Sequence, residues 1–380
     1  MKDFLKDLNK EQYDAVIHSE GPSMVIAGAG SGKTRVLTYR IAHLLDKGVD
    51  PFHVLSLTFT NKAAREMKER VIQLIGDGEA RNVWMGTFHS VFAKILRIEG
   101  HHLGYPSNFT IYDTDDSKKL IRNIIGEMNL DPKVYVPNYV RSRISMAKSH
   151  LISPGIYAED SDIQATDESS VKPLIKEIYN GYNARLKRSD AMDFDDLLFN
   201  TYILFHDFPE VLYKYQQKFR YILVDEYQDT NQAQYLIVKK LAANTENICV
   251  VGDDAQSIYA FRGANIQNIL NFRKDYPDYK LFKLEQNYRS TKNIVNAANK
   301  VITFNKEQIK KTVWTDNGEG EKIGFIRATS DNEEGKLIAD AIFSIKMNQQ
   351  RLNSDFAILY RTNAQSRAME ESLRKLNIPY

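Results

Sequence analysis

The stretch "SMVIAGAGSGKTR", Ser23–Arg35, passes from an apolar run into a glycine-rich loop that ends in Lys33 and Thr34. The apolar run predicts a buried parallel strand, and "TRVLTYRIAHLL" after the loop has the periodicity of a helix. Glycines let the backbone N–H groups of such a loop face a phosphate, and the helix that follows adds the positive end of its dipole. The stretch therefore predicts an α/β sheet that binds a phosphorylated ligand.

The loop itself predicts that the ligand is a nucleoside triphosphate with Mg²⁺. Lys33 is expected to reach the β- and γ-phosphates, and the Thr34 hydroxyl is expected to bind Mg²⁺. The usual pattern begins with glycine, whereas this loop begins with Ala27, a residue small enough for the same turn. The predicted ATP-binding residues of the loop are Ala27, Gly28, Ala29, Gly30, Ser31, Gly32, Lys33 and Thr34.

A second apolar run, "YILVDEYQDTN" at Tyr221–Asn231, ends in acidic residues. Asp225 is predicted to bind Mg²⁺ either directly or through a coordinated water, and Glu226 is the predicted general base for the attacking water. Together with the phosphate loop, this acidic pair predicts Mg²⁺-dependent hydrolysis of a nucleoside triphosphate. Gln228 and Asp229 follow within three residues, and we expect them to connect this site to the neighbouring strand end at "GDDAQSIY".

Three more apolar runs extend the sheet: "HVLSLTFT" (His53–Thr60), "NVWMGTF" (Asn82–Phe88) and "NICVVGD" (Asn247–Asp253). Helical patterns separate several of the runs, as in "NKAAREMKERVIQLI". Alternating strands and helices predict a doubly wound α/β fold that binds ligands at the carboxyl ends of its strands.

Composition restricts the protein class without identifying it. The chain has 380 residues, enough for two or three domains, and its net charge is only +2, so any nucleic-acid site has to be a local patch. Cys249 is the single cysteine, which favours a reducing cytoplasm. No apolar run approaches the ~20 residues of a membrane span, so no membrane partner is expected.

Two regions of the sequence do not continue the alternation of strands and helices that predicts the first sheet. Residues 110–190 have helical patterns and predict an inserted α-helical subdomain. Its cations Lys133, Arg141, Arg143 and Lys148 are either a solvated helix face or a phosphate contact surface. After "KDYPDYK", the runs "LFKLEQNY", "KIGFIRAT" and "DFAILYRT" predict strands of a second α/β unit, which looks incomplete at "NIPY" and suggests a fragment.

Eight segments occur in the order found in superfamily-one DNA helicases of the UvrD/Rep/PcrA type. They are "LNKEQ", "AGAGSGKT", "TFTNKAAREMKER", "GTFHS", "VDEYQDTN", "VVGDDAQSIYAFRGA", "LEQNYRS" and "LYRTNAQSR". The chain resembles the N-terminal portion of this family. The resemblance implies a RecA-like phosphate-loop domain at 1–109 and 191–279, the helical insert at 110–190, and the start of a second, incomplete RecA-like domain at 280–380.

The resemblance also implies roles around the nucleotide. Gln12 should offer its amide to the adenine edge, and Arg35 should border the nucleotide site. Tyr288 looks like the residue that stacks on the base, and Arg289 looks like an arginine finger aimed at the γ-phosphate. Gln256 resembles the γ-phosphate sensor between the ATP and DNA sites. The predicted catalytic residues are thus Glu226, Lys33, Arg289 and Gln256.

The predicted DNA site combines aromatic and polar side chains. Phe59, Tyr259 and Phe261 lie at or just beyond strand ends, where flat rings can stack on bases of any sequence. Core packing or helix capping is the alternative for each member of this set. The remaining predicted DNA contacts are Asn61, Lys62, Thr87, His89 and Arg262, with Arg361 added from the second domain by resemblance alone.

The resulting hypothesis is an ATP-dependent DNA helicase that translocates on single-stranded DNA and acts at single-strand/duplex junctions. The 3′-to-5′ direction follows from the resemblance alone. One alternative is the ATPase subunit of a helicase–nuclease complex. Another is a fragment that binds nucleotide or single-stranded DNA without turnover.

Overall fold

The central sheet has six strands, and five of them coincide with the apolar runs predicted from the sequence. All neighbouring strands are parallel, in the order β3-β2-β6-β7-β1-β8. Two further short strands, β4 and β5, pair with each other in parallel. The strands are β1 (Ser23–Ala27), β2 (Val54–Thr58), β3 (Trp84–Thr87), β4 (Thr110–Tyr112), β5 (Ala191–Asp193), β6 (Tyr221–Val224), β7 (Ile248–Gly252) and β8 (Lys280–Leu284).

The computed structural model describes residues 3–306 and 308–380, and the chain divides into two compact units, Met1–Glu319 and Gly320–Tyr380. Helices of the first unit that pack on the sheet or bridge to it are α1 (Lys10–Ile17), α2 (Lys33–Asp46), α3 (Asn61–Ile75), α4 (Asp77–Ala80) and α5 (Phe88–Glu99). The helices between β4 and β5 are α6 (Thr114–Glu127), α7 (Pro137–Ser149), α8 (Pro154–Glu159), α9 (Ser161–Ser169) and α10 (Ile175–Arg188).

The rest of the chain is also largely helical. Its helices are α11 (Phe194–Asp207), α12 (Pro209–Lys218), α13 (Gln232–Ala242), α14 (Gln267–Leu270), α15 (Phe272–Asp275), α16 (Lys292–Ile302), α17 (Asp331–Gln349) and α18 (Ser366–Lys375). Among the described residues, no helix is both long and apolar enough to cross a membrane.

Alternation along the strands explains why the sheet is buried on both faces. In β7, Ile248 and Val250 belong to one apolar core, whereas Cys249 and Val251 belong to the core on the opposite face. Helices α5, α11, α12 and α13 supply the first core, and helices α1, α2 and α3 supply the second. Helices on both faces of a parallel sheet confirm the predicted α/β class.

The region from 110 to 190 forms its own helical layer. Helices α6, α7, α8 and α10 surround a separate apolar core that includes Ile121, Ile144 and Tyr179. The strands β4 and β5 pair where the chain enters and leaves this layer, so the two ends of the insert are held side by side.

The strand "LFKL" lies elsewhere than predicted. It was expected to open the second unit, but β8 pairs with β1 over five residues and completes the first sheet. The register from Ser23 opposite Lys280 to Ala27 opposite Leu284 covers the outer edge of β1, which would otherwise leave its backbone unpaired. The first compact unit consequently extends to Glu319.

In the unit Gly320–Tyr380, the predicted strands "KIGFIRAT" and "DFAILYRT" do not form within the described residues. A strand needs a partner for its backbone groups, and neither segment has one there. Helices α17 and α18 instead pack closely, since a side chain on Gly335 would begin 2.5 Å from the Ala368 carbonyl oxygen. The apolar residues Phe325 and Leu359 remain exposed.

Candidate functional site

A cleft of about 1040 Å³ opens at the carboxyl ends of β1, β2, β6 and β7. At one end it is lined by Thr34, Asp225 and Glu226, and at the other by Tyr259 and Phe261. The structure therefore brings the predicted phosphate and metal residues and the predicted DNA aromatics into one continuous cavity.

The phosphate loop turns through two glycines in the left-handed region. Gly30 has φ +70°, and Gly32, the residue before helix α2, has φ +90°. A side chain on Gly30 would begin 2.8 Å from the Asn287 amide nitrogen and 2.9 Å from the Arg289 Cβ. Glycine is thus required there both by backbone conformation and by close approach. The Ser31 hydroxyl closes the loop by donating to the Gly28 carbonyl at 2.7 Å.

Ala27 does not lie in the loop. It is the last residue of β1, fully buried, and pairs in register with Leu284 of β8. The Gly28 N–H also donates to the Leu284 carbonyl, at 3.0 Å. An alanine is tolerated at this position because it belongs to the sheet, and the turn begins only after it.

Lys33 and Glu226 are paired. The Lys33 Nζ lies 2.8 Å from the Glu226 Oε2, although β7 separates β1 from β6 in the sheet. Glu226 is held with φ +48°, a conformation that costs energy for a residue with a side chain and that often marks a functional site. The loop cation and the predicted general base are therefore within hydrogen-bonding distance.

Asp225 is buried beside Glu226. Burial, with the Glu226 charge adding to it, raises the pKa of Asp225 to about 7. Its Oδ1 atom has no hydrogen-bond partner among the described residues. A buried carboxylate oxygen without a partner, in the cleft that Thr34 also lines, fits one protein ligand of Mg²⁺, which uses one or two carboxylates together with phosphate oxygens and water.

Gln228 connects two strand ends. Its Nε2 donates to the Glu226 Oε2 at 2.9 Å, and its Oε1 accepts from the Asp253 N–H at 3.0 Å. The Gln228 side chain is buried, so both ends of its amide are fixed by the protein. Asp229, next to it, lines the cleft, and burial followed by the Glu226 charge raises its pKa to about 6.

Gln256 lies on the far side of this bridge. Its Nε2 donates to the Asp253 Oδ2 at 2.7 Å, within a 3-10 turn at Asp254–Gln256. Gln256 lines the same cleft as Glu226 and Tyr259. A chain of hydrogen bonds therefore runs from Lys33 through Glu226, Gln228 and Asp253 to Gln256.

The predicted adenine residue Gln12 is already engaged. It is buried, its Oε1 accepts from the Asn9 N–H, and its Nε2 donates to the Ser31 carbonyl at 3.0 Å. Asn9 in turn donates to the Tyr288 hydroxyl at 2.8 Å. Asn9 therefore connects Gln12 and Tyr288, the two residues predicted to contact the adenine base. A direct contact between Gln12 and adenine remains a prediction, because the Gln12 amide would have to exchange its present hydrogen-bond partners for the base.

Arg35 and Arg289 both lie close to the loop. Arg35 packs its guanidinium over the Tyr39 ring, 5.3 Å from the centroid. Arg289 is exposed beside Gly30. Asn287, which the sequence did not single out, donates to the Ala29 carbonyl at 2.6 Å and accepts from the Arg289 N–H at 2.9 Å. One buried carboxamide therefore joins the phosphate loop to the turn that carries Arg289.

The aromatic end of the cleft presents flat rings to solvent. Phe261 is 65% exposed and Tyr259 is 39% exposed, with their ring centroids 6.0 Å apart. The Arg262 guanidinium lies over both rings, 5.4 Å and 5.5 Å from their centroids. Exposed rings beside a cation suit a base and its phosphate better than they suit a core.

The cleft is also lined by Phe59, His89 and Phe194, of which Phe194 was not predicted from the sequence. Phe59 packs against Phe88, 5.6 Å between centroids, and so belongs partly to the core. His89 contacts Phe194, 5.2 Å between centroids, and Phe194 is 55% exposed in the cleft. The available signal was a large apolar residue among acids in "DFDD" at the start of helix α11.

His89 is neutral near pH 7, because burial lowers its pKa from 6.5 to about 4. A depressed folded-state pKa means that the unfolded chain binds the proton more tightly between pH 6.5 and 4. The free energy of unfolding is therefore unaffected by His89 protonation above pH 6.5, and it decreases as the pH falls toward 4. As a DNA contact, His89 would act as a neutral ring.

We expect His89→Leu to flatten the acid side of the stability profile. The wild type should lose about 2 kcal/mol more than the variant between pH 7.5 and pH 5, following the linkage of pKa to stability. Urea unfolding of both proteins at the two pH values measures this difference. Parallel profiles would contradict the assignment of a neutral, buried imidazole.

The remaining predicted DNA residues are less clearly placed for contact. Thr87 is buried, and its Oγ1 caps helix α5 by accepting from the Ser90 N–H at 3.2 Å. Asn61 and Lys62 are exposed in the first turn of α3, between the cleft-lining residues Thr60 and Ala63. Arg361 is exposed in the unit Gly320–Tyr380.

Two of the four insert cations are committed to ion pairs inside the protein. Arg143 binds Asp167 at 2.6 Å, and the fully buried Lys148 binds Asp193 and Asp196 at 2.8 Å and 2.7 Å. Neither forms the phosphate contact surface considered from the sequence, because each has a buried carboxylate partner. Arg141, by contrast, lines the cleft.

Comparison with known proteins identifies two family matches. Residues 8–277 match the family model described as the UvrD/REP helicase N-terminal domain, and residues 282–380 match the UvrD-like helicase C-terminal domain. The chain is similar to proteins named ATP-dependent DNA helicase PcrA. Identity is 49% over 374 residues with that of Leuconostoc citreum, covering 98% of this chain and 49% of the relative.

A second relative gives the same picture. Identity is 51% over 381 residues with the protein of Staphylococcus aureus strain Mu50, covering 100% of this chain and 51% of the relative. The chain spans about half the length of the curated relatives it matches.

Proposed function

Because the chain belongs to the UvrD/REP helicase family, we propose that its protein uses ATP hydrolysis to translocate on single-stranded DNA and to unwind DNA. Proteins that are about half identical to it along its whole length are named ATP-dependent DNA helicases. Since the chain spans about half of those relatives, the activity is proposed for the protein as a whole.

The observation that carries this proposal is the bridge made by Gln228. A single buried amide contacts Glu226, the proposed general base, and Asp253, which orients Gln256 beside the exposed aromatics. In a DNA-driven motor, ligand at one end of the cleft has to alter chemistry at the other, and the Gln228 bridge offers a physical route for that coupling.

The nucleotide chemistry follows from the pairing of Lys33 and Glu226. On ATP binding, Lys33 would exchange its carboxylate partner for phosphate oxygens, which leaves Glu226 to accept a proton from water. Arg289 would deliver its charge to the γ-phosphate. Thr34 and Asp225 would hold Mg²⁺, which supplies charge neutralisation to the phosphates when bound.

On the DNA side, we propose that bases stack on Tyr259 and Phe261 and that Arg262 contacts the backbone. Single-stranded DNA and single-strand/duplex junctions are the proposed partners, with 3′-to-5′ movement. The proposed domains are the first RecA-like domain, 1–109 with 191–279 and the added edge strand β8, the insert 110–190, and a second RecA-like domain that begins after β8. The buried, single Cys249 and these ligands suit a cytoplasmic setting.

Phosphate release with and without single-stranded DNA tests the proposal. We expect ATP turnover to rise at least about tenfold with an oligothymidine, as coupling between sites of this kind requires. Nuclease activity in the same preparation would favour the helicase–nuclease alternative. Nucleotide or DNA binding with no turnover under any condition would favour a non-catalytic binding module and would refute the proposed motor.

Gln228→Ala is expected to lower DNA-stimulated turnover by about tenfold while changing ATP affinity less than about twofold, because it breaks the bridge but leaves the phosphate loop intact. Steady-state kinetics with saturating and zero DNA, together with fluorescent nucleotide titration, measure both quantities.

Gln216→Ala is the matched control. Gln216 also donates from its amide, to the Lys240 carbonyl at 2.7 Å, but lies on α12 outside the cleft. Its loss should leave DNA stimulation unchanged. Equal effects of the two alanine variants would argue against a bridge specific to Gln228.

A further inference from the structure

Lys311 lies against the two acidic residues that follow β7. Its Nζ is 2.9 Å from the Asp253 Oδ1 and 2.6 Å from the Asp254 Oδ1. The Ile309 N–H donates to the other Asp254 oxygen at 2.7 Å. The side chains of Lys311, Asp253 and Asp254 are 6%, 3% and 0% exposed. We call these three residues the Lys311 cluster.

Charge balance in the Lys311 cluster depends on one ammonium group. Burial alone would lower the pKa of Lys311, but Asp253 and Asp254 outweigh it and raise that pKa, so the lysine remains charged. In the described part of the chain, Lys311 is the one cation recorded in an ion pair with either aspartate. Removing it would leave two adjacent buried carboxylates without a counter-charge, which is strongly unfavourable.

Asp253 connects the Lys311 cluster to residues that line the cleft. Its Oδ1 accepts from the Lys311 ammonium and the Ala255 N–H, and its Oδ2 accepts from the Gln256 amide. Its own N–H donates to Gln228. The Gln256 side-chain amide therefore donates to the same carboxylate that Lys311 contacts, so the position of that carboxylate affects the orientation of Gln256.

We propose that Lys311 is a positioning residue for DNA-stimulated ATP hydrolysis: by neutralising Asp253 and Asp254 it holds Asp253 in the geometry that orients Gln256. The proposal rests on the proposed motor function and adds to it a residue that contacts neither nucleotide nor DNA. Lys311 acts on the segment that senses ligand, and it lies 57 residues beyond Asp254 in the chain.

The test uses a charge-matched pair of variants. Lys311→Met removes the ammonium, and Lys311→Met with Asp254→Asn returns the net charge of the Lys311 cluster to its original −1 while keeping an oxygen to accept from Ile309. We expect Lys311→Met to lower DNA-stimulated turnover by about tenfold and the double variant to recover most of that loss, as coupled residues do in a double-mutant cycle.

Lys310→Met is the matched control, since Lys310 is an exposed neighbour outside the cluster. It should retain wild-type stimulation. A merely structural role would lower ATP affinity and DNA-free turnover together with stimulation, whereas a positioning residue should lower the DNA-stimulated turnover and leave ATP affinity and DNA-free turnover within about twofold of wild type. Wild-type stimulation in Lys311→Met, or a double variant no better than the single one, would overturn the proposal.

Two further measurements keep the test decisive. If Lys311→Met does not fold, Lys311→Arg replaces it. This variant preserves the charge and should keep at least about a third of the DNA stimulation. A loss of stimulation as complete as in a Gln256→Ala protein would overturn the proposal. Amide hydrogen exchange tests the Lys311 cluster without any turnover measurement. If the wild type shows no DNA stimulation, the proposed function fails, but exchange at the amides of 253–257 and 309 should still be about tenfold faster in Lys311→Met than in the wild type. Unchanged exchange rates would overturn the proposed role of Lys311.

Discussion

Glu226→Gln is expected to lower ATP turnover by about a hundredfold or more, because a glutamine cannot accept the proton that general-base catalysis removes from water. ATP affinity should be equal or higher, since Lys33 loses the carboxylate that it binds at 2.8 Å and becomes available to the phosphates. Phosphate release and fluorescent nucleotide titration, both with saturating DNA, separate these effects. Retained turnover would refute the assignment of Glu226 and with it the proposed chemistry.

Glu246→Gln provides a control with the same backbone. Glu246 also adopts a left-handed conformation, with φ +52° against +48° for Glu226, but it is exposed in the turn before β7. Glu246→Gln removes the same charge from a residue with nearly the same φ, and Glu246 does not line the cleft. Turnover should remain within about twofold of wild type, as surface changes normally do.

The second large effect is expected from the exposed rings of the cleft. Phe261→Ala and Tyr259→Ala should each weaken binding of single-stranded DNA by about tenfold, and the double variant by about a hundredfold, since stacking contributes ~1–3 kcal/mol per base. Fluorescence anisotropy of a labelled oligothymidine at fixed salt measures the affinities, and fixed salt is essential because phosphate contacts are salt-dependent.

Tyr213→Ala is the control for a lost surface aromatic. Tyr213 is 60% exposed on helix α12 and does not line the cleft. Its removal should leave DNA affinity unchanged. If both cleft variants bound DNA as tightly as the Tyr213 variant, the bases would have to lie elsewhere on the protein.

The sheet could be predicted because its signal is local. A strand buried on both faces has to be apolar along its length, and β1, β2, β3, β6 and β7 are each short apolar runs between helical patterns. The phosphate loop was equally local, since glycine spacing and the following helix lie within a dozen residues. The sheet strands and the phosphate loop can therefore be predicted from residues that lie close together in the sequence.

The unpredicted features depend on distant partners. Lys148 looked like a surface cation, but its carboxylates Asp193 and Asp196 lie more than 40 residues away. The strand pattern of β8 was visible, whereas its pairing with β1, about 255 residues earlier, was not. The segments "KIGFIRAT" and "DFAILYRT" have strand composition without a described partner. Periodicity therefore predicts elements but not which elements meet.

The position of β8 also affects how the protein is made. The phosphate loop is synthesised before its outer support, because the Leu284 carbonyl that binds Gly28 and the Asn287 amide that binds Ala29 come about 255 residues later in the chain. At about 5–20 residues per second, this separation is a delay of roughly 13–50 seconds. During biosynthesis the nascent loop lacks its outer support throughout that interval. The nucleotide site is consequently assembled only after the whole first sheet and its helical insert have been translated.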